Sequence, residues 1–251
     1  VALGCFGFTA PANLPQAAAL PLVRTFQSDF DDEELIYTVK LGYAFSSAVN
    51  TYASFTHGYK AGGINLDTTA AVGGADPRFL SEEVDAYEIG LKAKMLDDAV
   101  TLNVAAFYEE FTNFQVLEFT GTAFTTFNVP VAETKGVEID GDFRPTRWLS
   151  IDYSVAYLDS QYDKFTSAPC YFGRTPNNPA EGTCDLSGRD IPNASEWRTN
   201  LGVRVETAMA GGTAFFRTDL FQSSEQNTNG SLDPRSRQGS YDLISARIGW
   251  S

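Results

Sequence analysis

The feature that most constrains this chain is a set of short stretches in which apolar and polar residues alternate. The clearest is Asn50–Asn65, where every second residue from Thr51 to Tyr59 falls on one face of a strand and the residues between them fall on the other. The Ala-Gly-Gly sequence at 61–63 then breaks the strand and opens a loop. An amphipathic strand of about ten residues is typical of the wall of a transmembrane β-barrel.

The same format repeats along the chain, and the connections between the strands alternate in length. Further alternating segments lie at about 35–45, 87–95, 100–109, 129–143, 149–157, 197–206, 215–220 and 244–250. Every second connection is short, at 46–50, 96–98, 144–147 and 208–212, whereas the others, such as 61–82, 163–193 and 223–239, are long. Soluble sandwiches mix loop lengths at both ends, but outer-membrane barrels place short turns at the periplasm and long loops outside. The sequence therefore predicts an all-β chain that forms about nine antiparallel strands of a transmembrane β-barrel wall.

Two regions do not follow this pattern. The alternation is lost at about 112–128, which we interpret as a loop with its tip at Gly121. Strict alternation would point Lys135 at lipid, which costs about 2–4 kcal/mol near the bilayer centre. Either Lys135 lies near the membrane interface, or a bulge at Gly136 resets the alternation.

Composition excludes some partners and suggests a compartment. The net charge of −14 argues against nucleic acid, because phosphate binding needs a basic surface. Cys170 and Cys184 bracket a loop rich in Pro, Asn and Gly, and no His lies nearby to suggest a zinc site. We predict a local disulfide and hence an oxidising compartment. Cys5 is left over, and its fate is open.

Several segments together resemble the barrel of TonB-dependent outer-membrane receptors. The segments that carry the resemblance lie in family order over residues 35–251, at 52–65, 84–92, 96–103, 107–108, 114–116, 135–138, 157–159 and 246–250. Each segment alone is weak, and the set is specific. The resemblance implies a Gram-negative outer-membrane protein whose 22-stranded barrel is closed by an N-terminal plug domain, of which this chain supplies strands from the second half. The plug, its TonB-contacting box and the last strands are expected to be missing from residues 1–251. Because a nine-stranded sheet would leave two open edges in lipid, we expect the active protein to be larger than this chain or another chain to complete it.

The resemblance and the alternation together predict the placement of domains and partners. Residues 1–34 lack periodicity and are expected to form an irregular extracellular loop segment, and 35–251 part of the barrel domain. The expected partners are the lipid bilayer, lipopolysaccharide, the TonB complex through the missing plug, and a small-molecule nutrient.

Candidate site residues fall into two groups, and neither suggests catalysis. We expect no cofactor and no enzyme activity, because no Ser-His-Asp arrangement surrounds His57, the one histidine. Lumen-facing polar residues are candidates for contact with substrate or plug: Lys40, Lys60, Glu88, Lys92, Asn103, Glu109, Glu138, Asp152, Arg198, Arg204, Arg217 and Arg247. A solvated ladder of mutually neutralising charges is the simpler interpretation of these residues. Aromatic residues in the predicted loops are better candidates for substrate contact, because exposed apolar groups often mark a binding site. These residues are Phe79, Phe119, Phe124, Tyr171 and Phe172. A divalent-cation site at Asp29, Asp31 and Asp32 is a weaker hypothesis.

The leading functional hypothesis is energy-coupled uptake of a scarce nutrient, such as a siderophore or a carbohydrate. A passive outer-membrane pore has the same wall chemistry and is the first alternative. The second alternative is a structural or adhesive barrel whose loops bind another protein.

Overall fold

The computed structural model describes residues 28–66, 76–119 and 124–250. Within these ranges no helix is long and apolar enough to cross a membrane. Residues 28–36 have no regular structure. Cys5, Gly121 and most of the segment 1–34 lie outside the described residues, so the domain boundaries remain predictions.

Nine long strands form a single sheet, the wall, and each pairs antiparallel with the next strand along the sequence. The strands are β1 (Tyr37–Ala44), β2 (Val49–Lys60), β3 (Glu82–Met95), β4 (Val100–Phe119), β5 (Phe124–Thr146), β6 (Leu149–Lys164), β7 (Trp197–Met209), β8 (Gly212–Ser223) and β9 (Tyr241–Trp250). A two-residue strand, Arg189–Asp190, adds to β6. The prediction of an all-β, antiparallel chain is confirmed.

The connections divide the wall into two unlike ends. At the short-turn end, β1 to β2, β3 to β4, β5 to β6 and β7 to β8 are joined by segments 45–48, 96–99, 147–148 and 210–211. At the long-loop end lie the loops 61–81, 165–196 and 224–240. The tight turn at 96–98 places three successive residues in the left-handed region, with φ near 54 to 63°. The four short turns and these three long loops are as predicted, but the connection between β4 and β5 is not a long loop.

One face of the wall carries apolar side chains that are largely exposed. Leu41, Ile89 and Ile248 are 73%, 63% and 86% exposed, and they belong to the alternating apolar sets of β1, β3 and β9. A continuous apolar surface of this kind needs a nonpolar surrounding, which lipid supplies for a barrel wall. The opposite face carries the charged side chains.

Of the two explanations for Lys135, the structure favours a position near the membrane interface over a bulge at Gly136. In the register it lies between Tyr108 of β4 and Asp159 of β6, with Tyr87 next in the same row, and the strand pairing is regular through Gly136. Its Nζ lies 3.2 Å from the Asp159 carboxylate. Tyrosines mark the membrane–water interface in such barrels, so the ion pair stands at a depth where water reaches it.

The interpretation of 112–128 as a loop is wrong for most of its length. β4 continues to Phe119 and β5 begins at Phe124, so the two strands form a hairpin that extends beyond the wall. The alternation fails there because the face that carries Val116 and Glu118 meets protein, while Leu117 on the other face is 62% exposed. Val116 and Glu118 share a face and are 8% and 5% exposed, so apolar and charged residues are buried on the same side.

A small hydrophobic core lies at the long-loop end. Its buried members come from β4, β5, β6 and the 165–196 loop: Val116, Val129, Ala132, Tyr162, Phe165, Ala168, Leu186 and Ile191. Leu232 of the 224–240 loop packs against it. The loops 165–196 and 224–240 therefore share a core with the extended hairpin.

Candidate functional site

The polar face of β6 to β9 carries an ion-pair network near the short-turn end. Arg217 on β8 donates from Nη1 and Nη2 to the two carboxylate oxygens of Asp152 on β6, at 2.8 and 2.9 Å. The side chains cross over β7 at Gly202, where a Cβ would lie under 3.0 Å from both partners. Glycine at this position is therefore required for the bidentate pair, which fixes the guanidinium more firmly than a single contact would.

The same network extends to Arg247 on β9, and a separate ion pair neutralises Arg204 on β7. Arg217 Nε also donates to Asp219 at 2.7 Å, and Arg247 Nη2 donates to the other oxygen of Asp219 at 3.3 Å. Arg204 pairs with Glu206, and its guanidinium lies 4.1 Å from the centroid of the Phe215 ring. The structure thus brings together three of the predicted lumen residues, Asp152, Arg217 and Arg247, in one paired ladder through Asp219, and a fourth, Arg204, forms a separate pair.

The other predicted lumen residues lie on β1 to β5 and on β7. Asn103 donates to Asp140 at 2.8 Å, Arg198 donates to Ser195 at 2.7 Å, and Lys60 lies opposite Glu82 in the register. The remaining members on this face are Lys40, Glu88, Lys92, Glu109 and Glu138. Their roles toward substrate or plug stay predictions.

Tyr52 is a polar-face residue that sequence reasoning missed. Its ring lies over Gly90 of β3, where a Cβ would be under 3.0 Å away. Lys40 Nζ stands 4.1 Å from the ring centroid, and Lys92 Nζ stands 5.9 Å from it. The signal was the glycine opposite Tyr52 in the neighbouring strand, which leaves room for a ring to lie flat.

The cysteine loop is anchored at the long-loop end. Cys170 and Cys184 form a disulfide with an S–S distance of 2.04 Å, as predicted. Cys184 is fully buried, and its backbone exchanges two hydrogen bonds with Ala168 at 2.8 and 3.0 Å. Ala168 belongs to the loop core, so the disulfide ties the outer part of the loop to buried structure.

The predicted loop aromatics do not form one cluster. Phe79 is partly buried against Gly63, Phe124 is 65% exposed at the start of β5, and the side chain of Phe119 lies outside the described part. Phe172 is 90% exposed, and Tyr171 beside it is partly buried. Phe119 and Phe124 lie opposite each other in the β4–β5 pairing, whereas Tyr171 and Phe172 are adjacent in the 165–196 loop.

Two arginines that sequence reasoning missed join Tyr171 and Phe172. The Arg174 guanidinium lies 5.8 Å from the Tyr171 ring centroid, and Arg235 of the 224–240 loop donates to the Phe172 carbonyl at 3.0 Å. Arg235 also pairs with Asp233 at 2.7 Å, and the guanidinium holds the pKa of that carboxyl below its usual range. We call these four residues, Tyr171, Phe172, Arg174 and Arg235, the aromatic–arginine patch. The close spacing of 171, 172 and 174 was the available sequence signal.

The acidic N-terminal segment packs on the 61–81 loop. Asp32 accepts a hydrogen bond from the Gly62 N–H at 3.2 Å. Across the described ranges, Asp29, Asp31 and Asp32 included, no group of three or more His, Cys, Asp or Glu side chains is arranged to hold a metal ion. His57 pairs with Asp85 at 2.7 Å and lies 3.8 Å from Glu34, so its partners are carboxylates.

Comparisons with protein families and with curated proteins show what this chain is similar to. A family model described as "TonB dependent receptor-like, beta-barrel" matches residues 15–251. The pesticin receptors of Yersinia enterocolitica and Yersinia pestis are 25% identical over 226 residues, which is 89% of this chain and 30% of theirs. This chain therefore spans about a third or less of the length of the curated relatives it matches.

Solved structures show the same fold. The ferric yersiniabactin uptake receptor FyuA from Yersinia pestis matches with a TM-score of 0.64 and 21% identity, over 85% of this chain and 29% of that one. The siderophore receptor PiuA from Acinetobacter baumannii matches with a TM-score of 0.59 and 18% identity, over 84% of this chain and 28% of that one. An antiparallel wall with an apolar outer face, a charged inner face and long loops at one end agrees with these matches. The chain belongs to the TonB-dependent receptors and forms part of their β-barrel domain.

Proposed function

We propose that this chain is part of an outer-membrane receptor that imports a ferric siderophore-type chelate with energy relayed through TonB. The family match and the names of the relatives, which include a ferric yersiniabactin uptake receptor and a siderophore receptor, support the proposal. In the whole protein a plug domain supplies the TonB contact, and the charged face of the wall lines the lumen.

The aromatic–arginine patch is the observation that carries the substrate class. Guanidinium groups recognise carboxylates and phenolates, and aromatic faces stack on planar ligand rings. Phe172 is 90% exposed, so its ring is available to a ligand arriving from the long-loop end. The arginines of the wall pair with Asp152, Asp219 and Glu206, as Arg235 of the patch pairs with Asp233, but they lie within the strands and not at the long-loop end.

Binding of a defined chelate to the full-length receptor tests this proposal. With ferric yersiniabactin as probe, Arg174→Ala and Arg235→Ala should each weaken binding by about tenfold to a hundredfold, because a charge-assisted hydrogen bond contributes about 1.5–3 kcal/mol. Arg78→Ala is the matched control, since it removes a loop arginine outside the patch. Equal affinity in all three variants would exclude the patch, and no binding by the wild type would exclude this chelate.

The proposed location puts the long loops outside the cell. The acidic segment with Asp29, Asp31 and Asp32 then stands at the outer rim, near lipopolysaccharide. Thiol labelling of intact cells should reach single cysteines introduced in 163–193 and not those in 144–147. Labelling only in 144–147 would reverse the orientation.

Two alternatives use the same wall. A passive pore would admit solute after TonB is deleted, whereas the proposed receptor would lose uptake. A structural or adhesive barrel would show no uptake in either strain and would retain a protein bound to its long loops.

A further inference from the structure

The 224–240 loop contains the one Asn-Gly pair of the sequence, Asn229 and Gly230. In such a pair the backbone nitrogen of the glycine attacks the side-chain carbonyl carbon of the asparagine, and the attack is easy because glycine has no side chain to hinder it. Asparagine is a thermolabile residue for this reason. The sequence alone therefore indicates that Asn229 is prone to lose its side-chain amide.

The reaction at this pair needs only water. The Gly230 nitrogen forms a bond to Asn229 Cγ, and the bond from Cγ to Nδ2 breaks. Ammonia leaves with the proton of the Gly230 N–H, which closes a succinimide ring. Water then opens the ring to aspartate or isoaspartate. A neutral amide is thereby replaced by a carboxylate, and residue 229 gains a negative charge without any oxidant or cofactor.

The fold uses both residues of this labile pair where the loop backbone meets β4. A Cβ at Gly230 would lie 2.7 Å from Val116 Cγ1 and 2.8 Å from Glu118 Oε2, so a side chain at this position would displace both buried groups. Asn229 Nδ2 donates to Glu118 Oε1 at 2.9 Å, and Glu118 is 5% exposed. Among the described residues no basic side chain forms an ion pair with Glu118. The Asn229 amide therefore satisfies a buried carboxylate that would be costly to leave unpaired.

The same contacts restrain the Asn229 side chain against reaction. Its Oδ1 accepts from the Ser231 N–H at 3.0 Å and from the Ser231 hydroxyl, while Glu118 holds its Nδ2. Closing the succinimide ring needs rotation of the Asn229 side chain and backbone, and Gly230 is buried. We therefore expect deamidation to be slow while these hydrogen bonds are intact.

The product of the reaction would face a like charge. The loop is held on both sides of residue 229, because the Asn193 N–H donates to the Asn227 carbonyl at 2.7 Å and Leu232 packs against the buried core. A carboxylate at residue 229 is therefore brought against Glu118 and has no hydrogen to donate to it. Two unpaired carboxylates in a buried place repel each other, which destabilises the contact between the loop and β4.

We propose that Asn229 is a deamidation site that its hydrogen bond to Glu118 protects, and that conversion to aspartate or isoaspartate weakens the contact of the loop with β4 permanently. Gly230 supplies the attacking nitrogen, and Glu118 is the group that senses the product. The inference holds whichever solute the receptor carries, because it rests only on the contact between the loop and β4.

Peptide mass mapping of the full-length receptor in mildly alkaline buffer tests the protection. Residue 229 should deamidate slowly in the folded receptor and rapidly in the peptide that trypsin releases from it. In the folded receptor Glu118→Ala should raise the rate about tenfold, because a hydrogen bond to a charged group is lost. Glu110→Ala is the matched control, since it removes a carboxylate of the same strand that accepts from Tyr108 instead, and it should deamidate at the wild-type rate.

Three outcomes of the mapping would overturn the proposal. Equal rates in the folded receptor and in the peptide would mean that the fold gives no protection. A wild-type rate in Glu118→Ala would mean that this hydrogen bond is not the restraint. A peptide that keeps its amide would mean that the pair is not labile.

The charge at residue 229 tests the consequence even if Glu118→Ala fails to fold. Asn229→Asp should speed hydrogen exchange of the amides of residues 228–232 about tenfold, because a like-charge contact replaces a hydrogen bond to a charged group. Adding Glu118→Gln should return exchange toward the wild-type rate, because the introduced amide donates to the new carboxylate. Wild-type exchange in Asn229→Asp, or no rescue in the double variant, would overturn the proposal.

Discussion

The extended β4–β5 hairpin holds two neighbours by different means. Toward the 61–81 loop it uses side-chain amides: Gln115 donates to the carbonyls of Ala61 and Leu80 at 2.9 and 3.0 Å. Asn128 donates to the same Leu80 carbonyl at 2.9 Å. Toward the 165–196 loop it uses buried apolar surface, with Phe165 only 2% exposed in the shared core.

The two kinds of contact differ in how much they stabilise a loop. A hydrogen bond exchanged with water contributes about 0.5–1.5 kcal/mol net, whereas full burial of a large apolar side chain contributes about 1.5–3 kcal/mol. We expect the 165–196 loop to open rarely and the described ends of the 61–81 loop to open often. The loop layer is therefore unevenly stable although one hairpin supports both loops.

Removing a core ring gives the largest expected effect. Phe165→Ala should destabilise the 165–196 loop locally by about 3–5 kcal/mol, because it deletes a buried ring and leaves a cavity. Hydrogen exchange of the loop amides measures this. Phe172→Ala, in the same loop but 90% exposed, is the control and should leave exchange unchanged. Equal exchange in the two variants would mean that the core does not hold the loop.

Removing the disulfide should have the next largest effect. Cys170→Ser with Cys184→Ser opens a bridge of sequence separation 14. The released chain entropy corresponds to about 3 kcal/mol for a loop of this length. Limited proteolysis should cut the double variant within 171–183 at a protease concentration that leaves the wild type intact. Resistance equal to that of the wild type would assign loop stability to the core alone.

Breaking the side-chain amide contacts should destabilise the 61–81 loop by a smaller amount and leave the 165–196 loop unchanged. Gln115→Ala removes two hydrogen bonds to carbonyl groups, and we expect a loss of about 1 kcal/mol for residues 61–66 and 76–81. Hydrogen exchange should rise there and stay constant in 165–196. Faster exchange in both loops would show that the two sides of the hairpin are coupled.

The ion pair between Arg78 and Asp76 should contribute least, because both side chains are about half exposed. The Arg78 guanidinium lowers the pKa of Asp76. Its contribution is therefore complete above the ordinary carboxylate pKa of about 3.9 and is lost as the pH falls through the lowered value. The protection factors of the amides of residues 76–81, which correct for the intrinsic pH dependence of amide exchange, should match between pH 7 and pH 5 and fall only under stronger acid. In Arg78→Ala this acid-dependent fall should shrink, and an unchanged fall would assign it to another group.

The sequence predicted the wall well because a wall strand has lipid on one side and water on the other. That contrast forces strict alternation, as in β2, and local turn residues mark the strand ends. The loop layer lacks this contrast, so the buried Glu118 and Val116 on one face of β4 could not be recognised. Core partners such as Phe165 and Val129 lie far apart in sequence, and no local pattern joins them.

The glycines of the inner face have a consequence for how far its side chains project. Tyr52 lies flat over Gly90, and the Asp152–Arg217 pair lies flat over Gly202. Two further rings are accommodated in the same way, Phe107 over Gly136 and Phe215 over Gly249. Each glycine lets a bulky side chain run along the wall instead of projecting toward the barrel axis. The depth to which side chains project from this face therefore depends on these four glycines.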